Sequence, residues 1–245
     1  YGDDQLAHLI DLDLLAQKSA VIQVGKVLTF DIIGLRILSI MKECLKNIEH
    51  KYGREITKSA MNPPKDDPQT FRLFQEAHTF GVFNFESDEM RRYLKILQPS
   101  TFEELIALNT MYRPRIIDCI DGYIKRKRGL EAITYDHPMM EKYLKETYGV
   151  IIYQEQVMLL SQEIANFTPE ESDLLARAIC HQRRTQSNPA LKEKFIRGGM
   201  ENGYTEEFLE KIWRDWMRCG NYLFNKSHAV CYTWFAYKMA YLKAH

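Results

Sequence analysis

No apolar run in the 245-residue sequence approaches the ~20 residues that a membrane span requires. Nor does a charged segment, an apolar stretch and a small-residue cleavage site open it, as a secretory leader would. No excess of either charge exists: Lys plus Arg and Asp plus Glu both number 33. A global field therefore gives no argument for nucleic acid, and any such argument has to come from local patches. Paired cysteines are missing too. Cys44, Cys119, Cys180, Cys219 and Cys231 are scattered, with no C-x-x-C spacing. That leaves a zinc centre on Cys180, His181, Cys219 and Cys231 without supporting spacing and favours plain thiols in a reducing compartment. Internal repeats and low-complexity tracts are also absent. Tyr1 rather than Met opens the chain, and His245 closes it inside a helical pattern. The sequence reads as a soluble, cytoplasmic piece of something larger, with no membrane association.

What is present is an ordinary globular composition, 45% apolar and 27% charged, in a chain long enough to bury a real core. Helix signals dominate. Asp67-Pro68 pairs an N-cap with a proline at the first helical position. Thr101 with Glu104 and Thr168-Pro169-Glu170-Glu171 fit capping boxes, and Thr205 precedes Glu206 and Glu207. Ser87 opens another helix, and Gly129, Gly149 and Gly203 are the expected stops. Strand signals are few: Val27 to Ile33, and the alternating run Gly81-Val82-Phe83-Asn84-Phe85. Asn62 to Asp67 is the clearest loop. The expected fold is mainly α with a small β element near the N-terminal side. Tyr232, Trp234, Phe235, Tyr237 and Tyr241 in the last segment are expected to be core rather than a base-stacking platform.

Four groups could carry chemistry. Asp31 is a carboxylate within an apolar strand-like run, so it needs a metal, a cation, hydrogen-bond donors or a solvated edge. On spacing alone, the exposed face of a half-buried strand is its commoner place. Arg113 and Arg115, with Lys125-Arg126-Lys127-Arg128, form either a solvated helix face or a phosphate track. Arg177, His181, Arg183 and Arg184 lie at a helix end and the loop after it, where cations also favour the dipole. Asn225-Lys226-Ser227-His228 precedes a helix with Ser227 as its expected N-cap, so free N–H groups, Lys226 and His228 would make an anion site, or simply a capped helix.

Read in order, several runs resemble the bacterial C-family replicative polymerases, the DNA polymerase III alpha subunits, over essentially the whole chain from about Val24. They are Thr29-Phe30-Asp31-Ile32-Ile33-Gly34-Leu35, Gly81 to Ser87, Leu108-Asn109 with Tyr112-Arg113-Pro114, and Leu144 to Gly149 continuing into Tyr153 to Met158. Phe224-Asn225-Lys226-Ser227-His228 and Ala240 to His245 complete the set.

The resemblance implies a palm edge over residues 1–50 and a helical fingers domain over 51–245. It implies template-directed addition of deoxynucleotides to a primer end, with two magnesium ions held by three aspartates. Asp31 matches the third of these, and the first two are expected in an Asp-x-Asp motif upstream of this chain. Arg113, Asn225, Lys226, Ser227, His228, Arg183 and Arg184 become candidates for contact with the nucleotide or DNA. Primer-template DNA, deoxynucleoside triphosphate and, in the parent protein, the sliding clamp are the implied partners. One carboxylate cannot hold two metals, so the isolated segment is expected to be inactive.

Three departures stand out. Arg115 replaces the glycine that usually follows Tyr-Arg-Pro, Ala176 replaces an arginine, and Cys180-His181-Gln182 replaces Gly-Lys-Lys. They motivate a second reading, a non-catalytic helical module that keeps only DNA or protein contact.

Overall fold

The computed structural model describes residues 10–14, 28–32, 36–114, 116–180, 189–220 and 222–245, with only the backbone described for the two strands. The chain is mainly helical. Strand β1 (Ile10–Leu14) pairs antiparallel with β2 (Leu28–Ile32). The helices follow as α1 (Arg36–Tyr52), α2 (Arg54–Met61), α3 (Pro68–Gln75), α4 (Asp88–Leu97), α5 (Phe102–Met111) and α6 (Cys119–Lys127). After them come α7 (Glu141–Leu144), α8 (Gln154–Ala165), α9 (Pro169–Cys180), α10 (Pro189–Glu201), α11 (Glu206–Cys219) and α12 (Lys226–Ala244). Two compact units divide the chain: residues 1–95 with 230–245, and residues 96–229.

Local chemistry explains most helix boundaries. The Asp67 carboxylate accepts from the Thr70 N–H at 2.7 Å, and Pro68 supplies the fixed φ of the first turn. Thr101 and Glu104 form a complete capping box, as do Thr168 and Glu171. Thr205 Oγ1 caps α11 by accepting from Phe208 N–H. Gly129, Gly149 and Gly203 all take positive φ at their stops.

The run Gly81 to Phe85 departs from the expected strand. Val82 N–H donates to Thr79 and Phe85 N–H to Val82, so the segment is a pair of successive turns. Gly81 (φ 79°) and Asn84 (φ 62°) sit in the left-handed region, which no extended strand can accommodate. The apparent alternation arises because Val82 and Phe85, three apart, both turn inward and are buried.

In the first unit, Phe74, Phe85 and Tyr237 form the aromatic centre, with Phe74 and Phe85 rings edge-on at 5.2 Å. Trp234, Phe235 and Tyr237 are buried, which gives the last helix its core role. The Tyr237 hydroxyl donates to Pro64 O at 2.9 Å and accepts from Asp67 N–H at 3.1 Å, tying the loop before α3 to α12.

In the second unit, Phe195 of α10 is fully buried against Trp216 (4.9 Å) and Trp213 (5.8 Å) of α11. Helix α8 runs beside both α9 and α10. The approach to α10 is close enough that a Cβ on Gly198 would lie 2.4 Å from the Ala165 carbonyl oxygen.

A buried carboxylate joins the front of this unit. Glu104, 2% exposed, accepts from Lys127 Nζ (2.7 Å), Tyr148 Oη (2.7 Å) and Ser100 N–H (2.7 Å). Burial alone would raise its pKa. The donors from Lys127, Ser100 and Tyr148 outweigh burial and hold the carboxyl below the usual range.

Two outcomes follow for urea unfolding of this chain. Gly198→Ala is expected to cost about 1–3 kcal/mol, because backbone rather than a flexible side chain is in the way. Glu104→Gln is expected to cost about 3 kcal/mol, since it strands Lys127 at a largely buried site. The lowered folded pKa of Glu104 means its contribution is present above the unfolded value of about 4.3 and is lost as pH falls through the folded value. Titrating the unfolding midpoint downward from neutral pH should show that loss in the native sequence and not in Glu104→Gln.

Candidate functional site

The second unit gathers several of the sequence-level candidates at one place. Residues 152–154 and Phe224 form a short parallel bridge: Phe224 N–H donates to Ile152 O (3.0 Å), and Gln154 N–H donates to Phe224 O (2.9 Å). The bridge sets the starts of α8 and α12 side by side. Two helix N-termini, each the positive end of its dipole, therefore converge.

Arg113 reaches this place from the turn after α5. Tyr112 ends the helix, and Pro114 disfavours helical backbone at Arg113. The Arg113 guanidinium lies 3.3 Å from the centre of the Phe224 ring. On Phe224 also rests His228, edge-on at 5.2 Å. Arg113 is half-buried, burial pushes its pKa down, and no carboxylate pairs with it among the described residues. Stacking on an aromatic face offsets part of that desolvation but leaves the N–H fork without a counter-ion.

Helix α12 begins two residues earlier than a cap at Ser227 would set it. Asn225, not Ser227, is the cap: its Oδ1 accepts from His228 N–H (2.8 Å) and from the Ser227 hydroxyl (2.5 Å). Two of the backbone amides that could have received an anion, those of Lys226 and His228, are already used. Lys226 N–H donates to both carboxylate oxygens of Glu155, each at 2.9 Å. Lys226 Nζ pairs with Glu146 at 2.7 Å and lies 5.4 Å from the centre of the Tyr153 ring. The cations that this site offers are side chains, Arg113 and Lys226.

The basic run on α6 separates into two roles. Lys127 is committed to Glu104, and Arg126 pairs with Glu131 (2.9 Å) while donating to Tyr148 O. Lys125 and Arg128 are exposed. Arg177 pairs with Asp173 at 3.0 Å. His181, Arg183, Arg184 and Arg115 lie outside the described residues, as does the side chain of Asp31.

On the backbone, Asp31 stands opposite Asp11 in the strand register. An Asp-x-Asp run, Asp11-Leu12-Asp13, therefore does occur in this chain, on β1, although it lies before the stretch that carries the resemblance. The alternation Ile-Asp-Leu-Asp-Leu was the signal that could have revealed that strand. Elsewhere, no group of three or more His, Cys, Asp or Glu residues clusters as for a metal among the described residues.

Two departures acquire a packing explanation. Ala176 is 1% exposed in the interior face of α9, where a charged head would have to reach water or meet a partner. Cys180 is half-buried beside Leu223 O (3.9 Å), and burial pushes its thiol up to about 11, which makes it a poor nucleophile.

Residues 37–203 match the bacterial DNA polymerase III alpha subunit finger domain. The chain belongs to that family. It is 43% identical over 220 residues to the DNA polymerase III subunit alpha of Aquifex aeolicus, covering 89% of this chain and 19% of that protein. Against the subunit of Halalkalibacterium halodurans it is 41% identical over 215 residues, 88% of this chain and 19% of the relative. Against that of Chlamydia pneumoniae it is 40% identical over 217 residues, 89% and 17%. The chain spans about a fifth of the length of these relatives. No described helix is long and apolar enough to cross a membrane.

The capping assignment gives a local test. Asn225→Ala is expected to lower the stability of this chain by about 1 kcal/mol, while Ser227→Ala changes it by a few tenths. Urea midpoints of the two variants measure the difference.

Proposed function

We propose that this chain is the fingers segment, with an edge of the palm, of a replicative DNA-directed DNA polymerase, and that Arg113, Lys226 and His228 face the triphosphate of the incoming nucleotide. The observation that carries the reading is Arg113: a half-buried guanidinium, stacked on Phe224, with no carboxylate partner among the described residues. A cation held that way is preorganised for an anion.

In the parent protein the primer 3′ hydroxyl attacks the α-phosphorus and pyrophosphate leaves. That reaction asks little covalent chemistry of the protein and much positioning of charge. Arg113 and Lys226 would neutralise the leaving phosphates, while Asn225 and Ser227 fix the turn that carries Lys226. Arg183 and Arg184 are proposed as DNA or phosphate contacts in the stretch of sequence after α9.

The strand pair would be the palm edge. Asp31 offers the hard carboxylate oxygens that magnesium takes, a chemistry that fits the metal, and on the backbone it stands opposite Asp11 in the strand register. When bound there, magnesium would stabilise the attacking and leaving oxygens. Primer-template DNA and, in the parent, the sliding clamp complete the proposed partners, in the cytoplasm.

A second reading is supported by buried Ala176, which replaces a cation that the family typically carries: a module that retains DNA contact without catalysis. Primer extension by the full-length parent separates the two. Under the first reading, Arg113→Ala raises KM for the nucleotide roughly ten- to hundredfold, and Asp31→Asn lowers kcat more than about a hundredfold. Near-normal rates for Asp31→Asn would sink the metal role. A parent that binds primer-template but incorporates nothing would favour the second reading.

A further inference from the structure

Two carboxylates approach Lys226, and they are not equivalent. Glu155 holds the backbone N–H with both oxygens at 2.9 Å, satisfying a donor that has no partner within its own helix. Releasing it would orphan that donor, so Glu155 belongs to the framework. Glu146 touches a different part of the same residue, the flexible ammonium, at 2.7 Å. Both members of this pair are about one-third exposed, 34% for Lys226 and 37% for Glu146. An ion pair so open to water shifts an equilibrium by a factor of about five at most.

The pair is nevertheless well placed. Glu146 lies in the 3₁₀ turn Lys145–Thr147, closed by left-handed Tyr148 (φ 51°). That turn is tied to the start of α8, since Gln156 Nε2 donates to Thr147 Oγ1 at 2.8 Å while its Oε1 accepts from Tyr153 N–H at 3.0 Å. The Glu146 backbone is therefore fixed relative to Tyr153, over whose ring the Lys226 ammonium rests. If the carboxylate moves aside, that ring still keeps the ammonium extended.

We propose that Glu146 is the resident counter-ion of Lys226, a weak internal competitor that occupies the ammonium in the empty site and yields it to a nucleoside triphosphate. The proposal rests on the reading of Lys226 as a phosphate contact. It makes Glu146 a determinant of nucleotide affinity without direct contact with the substrate. A polyanion carrying several phosphate charges outcompetes one carboxylate for the ammonium, whereas a ligand with a single negative charge does not gain the same advantage.

Steady-state primer extension by the full-length parent, with magnesium and varied deoxynucleoside triphosphate, tests this. Glu146→Gln keeps the shape and removes the charge. KM for the nucleotide is expected to fall two- to fivefold, with kcat changing by less than that. Lys226→Met is expected to raise KM about tenfold or more, and adding Glu146→Gln to it should then change nothing. Glu146→Ser must move KM in the same direction as Glu146→Gln, which guards against a fold-specific effect of either variant. An unchanged or raised KM in Glu146→Gln overturns the counter-ion role while leaving the phosphate contact intact. An equal fall of KM in the Lys226→Met background also overturns it, because the effect would not pass through Lys226. If Lys226→Met leaves KM unaltered, the underlying reading of the site fails instead.

Discussion

Two main-chain hydrogen bonds, one on each side of Phe224, hold the candidate site together. They join residues separated by about seventy positions and fix the starts of α8 and α12 next to each other. Everything else at the site inherits that geometry. Arg113 finds the Phe224 ring, Glu155 meets the Lys226 amide, and Glu146 comes within reach of the ammonium. Because the bridge uses backbone atoms, side chains around it are free to vary in charge without loss of the alignment. The convergence of two dipole ends would be unfavourable if left bare, and the Glu155 carboxylate answers that cost directly.

Glu104 serves the same unit in a different way. A carboxylate taken out of water is costly, and Glu104 remains ionised because donors from three separate segments meet it. Residue 100 before α5, Lys127 at the end of α6 and Tyr148 after the 3₁₀ turn are all located by one side chain. The same turn carries Glu146. The framework that supports the site is thus polar at its hinge points and aromatic at its centre, around Phe195 and Trp216.

Caps were legible in the sequence because they depend on residues close in the chain: Thr101 with Glu104, Thr168 with Glu171, Asp67 with Pro68. The turns at Gly81 to Phe85 were not, since an alternating run looks the same whether it is extended or folded into i,i+3 turns. Only the two left-handed residues, Gly81 and Asn84, separate the cases. Ser227 looked like a cap until Asn225, an equally good acceptor two residues earlier, proved to hold the position. Arg113 and Lys226 were legible as possible phosphate contacts from the local charge pattern, and as nucleotide contacts only through the family's motifs. Their environments were not, because Phe224, Glu155 and Glu146 reach them across the fold, where no spacing rule applies.

The first unit is interrupted in the chain: residues 96–229, 134 positions by count, separate Lys95 from Val230, in the helix that carries Tyr237. Asp67 and Pro64 wait for that tyrosine hydroxyl, and Phe74 waits for its ring. During synthesis at about 5–20 residues per second, the interval is on the order of ten seconds. In that time the second unit can complete its own core while the first stays open on one side. If each unit folds as soon as its residues are available, the later-encoded unit closes first and the earlier one is sealed by α12.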